Sequence, residues 1–219
     1  ELGDITLIDI VKDVPQGKAL DLSQSSSVDL FDITIEGSNN YTSLKNSDVV
    51  IITAGIPRLS GMSRDDLLET NTKIISTIGK AVKKYCPKAF LICITNPLDA
   101  MVSILQSSSK VKHHMCVGMA GILDSSRMKY FLSKALNVSI KSIETFVLGG
   151  HGDTMVPMIR YTTISGIPIQ ELIKNKTISK KRVNDILKRT QNGGGEINRL
   201  LKKGSAFYAP ASSAVQMAE

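Results

Sequence analysis

The chain has 219 residues, 42% of them hydrophobic and 21% charged, with a mean hydropathy of +0.03. Those values exclude a disordered or fibrous chain, and no run reaches the roughly eighteen uninterrupted apolar residues of a membrane span. The net charge of +7 raises nucleic acid as a partner, but much of the excess lies at Lys174, Lys176, Lys180, Lys181, Arg182, Lys188, Arg189, Arg199, Lys202 and Lys203. These fall at helical spacing among Ile, Val and Leu with no aromatics between them to stack bases, so a solvated helix face is expected, with a general attraction for small anions.

The three cysteines, Cys86, Cys93 and Cys116, are an odd number, and Cys93 sits inside an apolar run. Reduced, buried thiols in a reducing compartment, the cytoplasm, are expected. The chain opens at Glu1 without an initiator Met and runs directly into a strand, so a preceding segment is expected, and an organelle is left open.

Taken in order, Ile5–Ile10 reads as a buried parallel strand with Asp9 at its carboxyl end. A helix is predicted over Pro15–Gln24 and a short strand over Ile33–Glu36. Ser47–Gly55 is a strand running into glycine. Ser63 with Asp66 resembles a capping box, and Leu67, Leu68, Ile74, Ile75, Ile78 and Val82 mark one face of the long helix that follows. Ala89–Pro97 repeats the buried strand with a polar tip. Asp99–Gln106 is a helix and Met115–Met119 a strand. Strands alternating with helices predict a doubly wound parallel sheet, which takes its ligands at the carboxyl ends of the strands, where Asp9, Thr53–Gly55 and Asn96 fall.

From about Met119 the pattern changes. Leu123–Leu136 is predicted helical, Ile143–Leu148 a strand, and Met155–Ile164 an antiparallel strand before a turn at Gly166. Helices from Ile169 lead to a return segment at Tyr208–Glu219. The expected organisation is an α/β domain over 1–118, joined by 208–219 as a returning helix, and a second, α+β domain over 119–207.

Three stretches carry the candidate chemistry. Phe146–Asp153 ends a strand at Gly149 and Gly150 and presents His151 on a glycine-flanked loop, which suits an imidazole that exchanges a proton with a substrate oxygen. Asp124 and Arg127 are three apart on a helix and share a face next to a buried stripe, which suits a carboxylate that orients His151 and a guanidinium that grips a substrate carboxylate. Gly55–Arg64 carries Arg58 and Arg64 on a loop after a strand end, placed to bring positive charge to an anion as a lid. His113 and His114 are adjacent, with no cysteine spacing beside them, and no metal site is expected.

With these residues in view the chain resembles the lactate/malate dehydrogenase family, through TAGIPR, SRDDLLETN, ITNPLDAM, GMAGILDSSR, GGHGD and GSAFYAPA in the family's order. It looks closest to the lactate-dehydrogenase-like malate dehydrogenases. The resemblance implies a Rossmann-type sheet, incomplete at its N-terminus because the family's glycine-rich turn precedes Glu1, and a separate substrate domain. It implies NAD as cofactor, a small dicarboxylate (malate or oxaloacetate) as substrate, a homodimer or homotetramer, and a place in the tricarboxylic acid cycle.

The roles implied for matching positions are His151 as acid/base and Asp124 as its orienting carboxylate. Arg127 would clamp the carboxylate beside the reacting carbon, Arg64 would polarise the carbonyl, and Asn96 would bond substrate and cofactor. Asp9 would take the adenosine ribose, favouring NAD over NADP, while Thr53, Ala54, Gly55, Asn71, Ile94 and Thr95 would line the cofactor. Arg58 would meet the far carboxylate of malate, and Ala206, where lactate enzymes tend to carry Thr, points the same way. L-lactate dehydrogenase is the nearest alternative, and a non-catalytic dehydrogenase-fold protein of assembly or binding is the alternative of another class.

Overall fold

The computed structural model describes residues 2–57, 63–152, 154–202 and 204–219. In chain order the elements are β1 (Ile5–Ile8), α1 (Val14–Gln24), α2 (Ser26–Asp29), β2 (Ile35–Ser38), β3 (Val49–Ile52), α3 (Arg64–Tyr85), β4 (Phe90–Cys93), α4 (Leu98–Ser109), β5 (Cys116–Gly118) and α5 (Gly121–Leu136). They continue with β6 (Ile143–Glu144), β7 (Val147–Gly149), β8 (Met155–Pro157), β9 (Thr163–Ile164), β10 (Ile167–Pro168), α6 (Ile169–Lys174), α7 (Lys180–Gln191), α8 (Gly193–Leu201) and α9 (Tyr208–Ala218).

The first half is parallel, as the alternation of strands and helices predicts. Its strands form two ladders, β1 with β2 and β3-β4-β5, all in parallel register. Strand β4 shows why a continuous apolar run is needed: Leu91 and Cys93 face Ile75, Val82, Met101 and Leu105 of α3 and α4, while Ile92 faces Met119, Leu123 and Ala214. Both faces are covered, so neither can be polar. On the second face α9 contributes Ala214, with Met217 and Ala218 packed beside it.

Helix α3 begins where its capping box predicts. The Ser63 hydroxyl accepts from the Asp66 N–H at 3.0 Å, and the Asp66 carboxylate accepts from the Ser63 N–H at 3.0 Å. These bonds hold the Asp66 carboxyl below its ordinary range. The second strand lies two residues later than Ile33–Glu36, at Ile35–Ser38.

The second half departs more from expectation. Ile143–Leu148 is two strands: Ile143–Glu144 pairs with β9, and Val147–Gly149 pairs with β8. Thr145, where the chain leaves one ladder for the other, shares a buried hydroxyl hydrogen bond of 2.7 Å with Thr162. Met155–Ile164 is likewise broken. Pro157 ends β8, a 3-10 turn over Ile159–Tyr161 follows, and β9 is only two residues long. The turn at Gly166 is present, with positive φ at both Ser165 and Gly166, as a tight hairpin requires. A separate core of Met128, Leu132, Ile143, Val147, Ile164, Ile169, Val183 and Ile186 holds this half together. Helix α5 contributes to both cores, Leu123 to the first and Met128 and Leu132 to the second.

Helix α7 buries Val183, Ile186 and Thr190 and exposes Lys181, Arg182 and Lys188, so much of the basic excess forms a solvated face. No helix among the described residues is long and apolar enough to cross a membrane. The three cysteines are free and buried. Burial pushes the Cys93 and Cys116 thiols each up to about 11, with Cys93 adding to the effect on Cys116. At pH 8 these thiols are protonated and unreactive. A thiol-reactive disulfide reagent should therefore titrate no more than a trace of Cys93 and Cys116 in the native protein and all three cysteines in urea, as read by absorbance.

Candidate active site

The imidazole of His151 is delivered by the β7–β8 hairpin. Gly149 has a φ of 85°, and a Cβ there would lie 2.7 Å from the Thr154 carbonyl, so only glycine makes this turn. A Cβ on Gly150 would meet the Thr154 hydroxyl at 2.4 Å and the Asp99 carboxylate at 2.9 Å, which sets the hairpin against the first turn of α4, just past the carboxyl end of β4.

The carboxylate comes from the first turn of α5. Asp124 is 2% exposed, and its two oxygens have different partners: Oδ2 lies 3.0 Å from His151 Nδ1, and Oδ1 accepts from Arg127 Nη1 at 3.1 Å. A carboxylate can only accept, so Nδ1 carries the hydrogen and Nε2 is left to exchange a proton with a ligand. Arg127 is the opposite charge that makes burial of this acid tolerable. Its own desolvation pulls the guanidinium below its ordinary pKa, and the Asp124 charge opposes that shift. Its Nε is buried without a hydrogen-bond partner among the described residues.

Sequence reasoning gave Ser125 no role. Its hydroxyl accepts from the Val147 N–H at 2.9 Å and donates to the Gly121 carbonyl, stitching α5 to the strand that carries His151. A Cβ on Gly121 would lie 3.1 Å from the Val147 carbonyl, so helix and strand are in close contact at this point. The signal was available in the serine next to Asp124, but only the pairing of β7 with this helix gives it meaning.

A second group of candidates sits at the carboxyl ends of β3 and β4. Thr53, Ala54 and Gly55 are exposed, Ile94 is half-buried, and Asn96 is exposed beside a cis peptide bond to Pro97. A Cβ on Gly55 would lie 2.4 Å from Thr95 Cγ2, so the two strand ends approach closely there. Thr95 and Asn71 are buried, and their side chains are engaged with backbone: the Thr95 hydroxyl donates to the Ala54 carbonyl at 2.7 Å. Asn71 accepts from the Ile56 N–H at 2.9 Å and donates to the Ile56 and Asn96 carbonyls at 3.2 and 2.8 Å. These two side chains brace the ledge rather than form its surface. Asp9, at the end of β1, is half-buried and accepts from the Val11 N–H at 2.9 Å. A half-buried acid at one strand end and a ledge of open backbone with small residues at two others fit a dinucleotide, whose ribose hydroxyls need an acceptor and whose rings need close backbone approach.

The structure thus brings together His151, Asp124 and Arg127, and separately Thr53, Ala54, Gly55, Asn71, Ile94, Thr95 and Asn96. Arg58 and the side chain of Arg64 lie outside the described residues. No cluster of three potential metal ligands occurs among the described residues.

Residues 1–118 match the profile described as lactate/malate dehydrogenase, NAD binding domain, and residues 122–219 that described as lactate/malate dehydrogenase, alpha/beta C-terminal domain. The chain belongs to the lactate/malate dehydrogenase family. Both halves of the molecule are accounted for, and the resemblance read from its motifs is met across its length. Among solved structures the chain is 52% identical to the lactate dehydrogenase of Eimeria maxima, solved with NADH and oxamate, covering 99% of this chain and 66% of that one at a TM-score of 0.94. It is 50% identical to the malate dehydrogenase of Cryptosporidium parvum, covering 99% and 69% of the two chains at a TM-score of 0.95. The malate dehydrogenase of Plasmodium falciparum is 43% identical, with 99% and 69% covered and a TM-score of 0.94. The chain spans about two thirds of the length of these structures, and the family includes both lactate and malate enzymes among its matches.

Proposed function

We propose that the protein is an NAD-dependent malate dehydrogenase, interconverting (S)-malate and oxaloacetate. The observation that carries the dehydrogenase reading is the single buried carboxylate of Asp124 holding the imidazole of His151 on one oxygen and the guanidinium of Arg127 on the other. NAD, when bound, supplies or takes up the hydride. The chain's own residues do the rest. His151 gives its Nε2 proton to the carbonyl oxygen as oxaloacetate is reduced and takes it back in oxidation, while Asp124 stabilises the imidazolium form. Arg127 grips the carboxylate next to the reacting carbon. Arg64 polarises the carbonyl, and Asn96 hydrogen-bonds substrate and cofactor. Asp9, Gly55 and the braced ends of β3 and β4 hold the dinucleotide, and the acid at Asp9 repels a 2′-phosphate.

The choice of malate rests on Arg58, whose cation matches a second carboxylate, and on Ala206. Lactate is the second reading, favoured by the 52% identity to the Eimeria lactate dehydrogenase. We place the protein in the cytoplasm, in keeping with its buried free thiols, as a homodimer or homotetramer. The test is steady-state kinetics of the full-length protein with oxaloacetate and pyruvate, each with NADH and NADPH. Oxaloacetate with NADH should have the highest kcat/KM. Preference for pyruvate would establish the lactate reading, and no NADH oxidation with either acid would make the protein a non-catalytic member of the fold.

A further inference from the structure

Behind Arg127 stands the first residue of α8. Gly193 is buried and its φ is not in the left-handed region, so its backbone conformation does not call for glycine. Space does. A Cβ at Gly193 would lie 2.9 Å from Arg127 Cδ and 3.2 Å from its Nε, closer than packed carbon atoms normally come. The two glycines that follow are not under this constraint. A Cβ on Gly194 would be 3.6 Å from Arg127 Nη2, an ordinary contact, and one on Gly195 would meet nothing within 4 Å.

The corner that carries these glycines is fastened to α5. Arg189, in the last turn of α7, donates through Nε and Nη2 to the two carboxylate oxygens of Glu196 on α8, at 2.8 and 2.6 Å. The same guanidinium lies 4.4 Å over the ring of Phe131, one helical turn beyond Arg127 on α5. Asn192 closes the corner by donating to the Lys188 carbonyl at 2.9 Å. The wall at Gly193 is thereby fixed relative to the helix that Arg127 grows from.

We propose that Gly193 is a positioning residue for substrate binding: the corner of α7 and α8 forms a fitted wall against the aliphatic stem of Arg127 and sets the direction in which its guanidinium meets the carboxylate of a 2-oxo acid. This rests on the reading of Arg127 as the carboxylate clamp. A methyl group at Gly193 pushes Cδ and Nε aside and itself meets no atom of Asp124, His151 or the dinucleotide ledge. The loss falls on capture of the acid and not on the cofactor.

The test is the series Gly193→Ala, Gly194→Ala and Gly195→Ala in the full-length protein. All three place the same methyl group in the same helix, so a general effect of helix propensity would move them together. Gly193→Ala should raise the KM for the 2-oxo acid about 10- to 100-fold, with kcat changed far less, and weaken oxamate binding to the NADH complex in parallel. NADH affinity should not change, and Gly195→Ala should match the parent. Independently of turnover, the Arg127 Nε–H resonance in a nitrogen-15 correlation spectrum should shift in Gly193→Ala and hold still in Gly195→Ala. Equal KM values across the series, or an unmoved resonance in Gly193→Ala, overturn the inference. A parent protein in which no 2-oxo acid supports NADH oxidation overturns the dehydrogenase reading instead, and the resonance still decides whether the wall controls Arg127.

Discussion

Asp124→Asn is expected to lower kcat for 2-oxo acid reduction by about two to four orders of magnitude, the range typical of a displaced acid/base. Reduction draws its proton from an imidazolium, which carries hydrogens on both nitrogens. In the native site Oδ2 accepts one of them at 3.0 Å, while Oδ1 accepts from Arg127 at 3.1 Å. An asparagine has one acceptor oxygen to offer. Turned toward Arg127, it sets an NH2 group against Nδ1, which disfavours the imidazolium and selects the neutral tautomer with its hydrogen on Nε2. Turned toward His151, it sets two donors face to face at Arg127. The substitution also leaves that buried guanidinium without its counter-charge, which is why urea unfolding should accompany the kinetics. His151→Asn should show a similar defect, and the double variant should be little worse than either, because the two side chains act as one unit. A kcat for Asp124→Asn within tenfold of the parent would remove Asp124 from the reaction.

Arg58→Gln is expected to cost oxaloacetate reduction about 30- to 4000-fold in kcat/KM while pyruvate reduction holds or rises. The magnitude follows from leaving one carboxylate of a dianion unpaired in a closed site, about 2–5 kcal/mol at 1.4 per tenfold. Pyruvate has a methyl group where oxaloacetate has its second carboxylate, so removing the cation takes nothing from it and ends the cost of confining an uncompensated guanidinium. An unchanged ratio of the two activities would show that malate is chosen elsewhere. The comparison is direct because the proposed function assigns Arg127 to the carboxylate that both acids share.

What could be read from the chain in advance follows physical lines. Strands buried on both faces, such as Phe90–Cys93, announce themselves because every position must be apolar, and Ser63 with Asp66 declares a helix start through a local exchange of hydrogen bonds. The proximity of His151 to Asp124 was legible only through motif order, since 27 residues separate them and no local rule brings them together. The breaks at Thr145 and Pro157 were missed because alternation looks the same whether a strand keeps one partner or trades it for another. The family resemblance implies a cofactor-lining role for Asn71, which lies within α3. Its complete burial reflects three backbone groups that no strand or helix satisfies. Gly193 gave no signal, because three successive glycines look alike until the side chain behind the first is seen.

Helix α5 roots its amino-terminal turn in one core and its middle in the other, with Asp124 and Arg127 between the two anchorages. Loosening at Leu132 or at Leu123 is felt at the same place, whichever half of the molecule it begins in. The Asp124–Arg127 pair is in this sense a joint property of two separately packed bodies, and under the proposed function substitutions remote from any ligand are expected to alter turnover by changing how firmly one helix is gripped at its two ends.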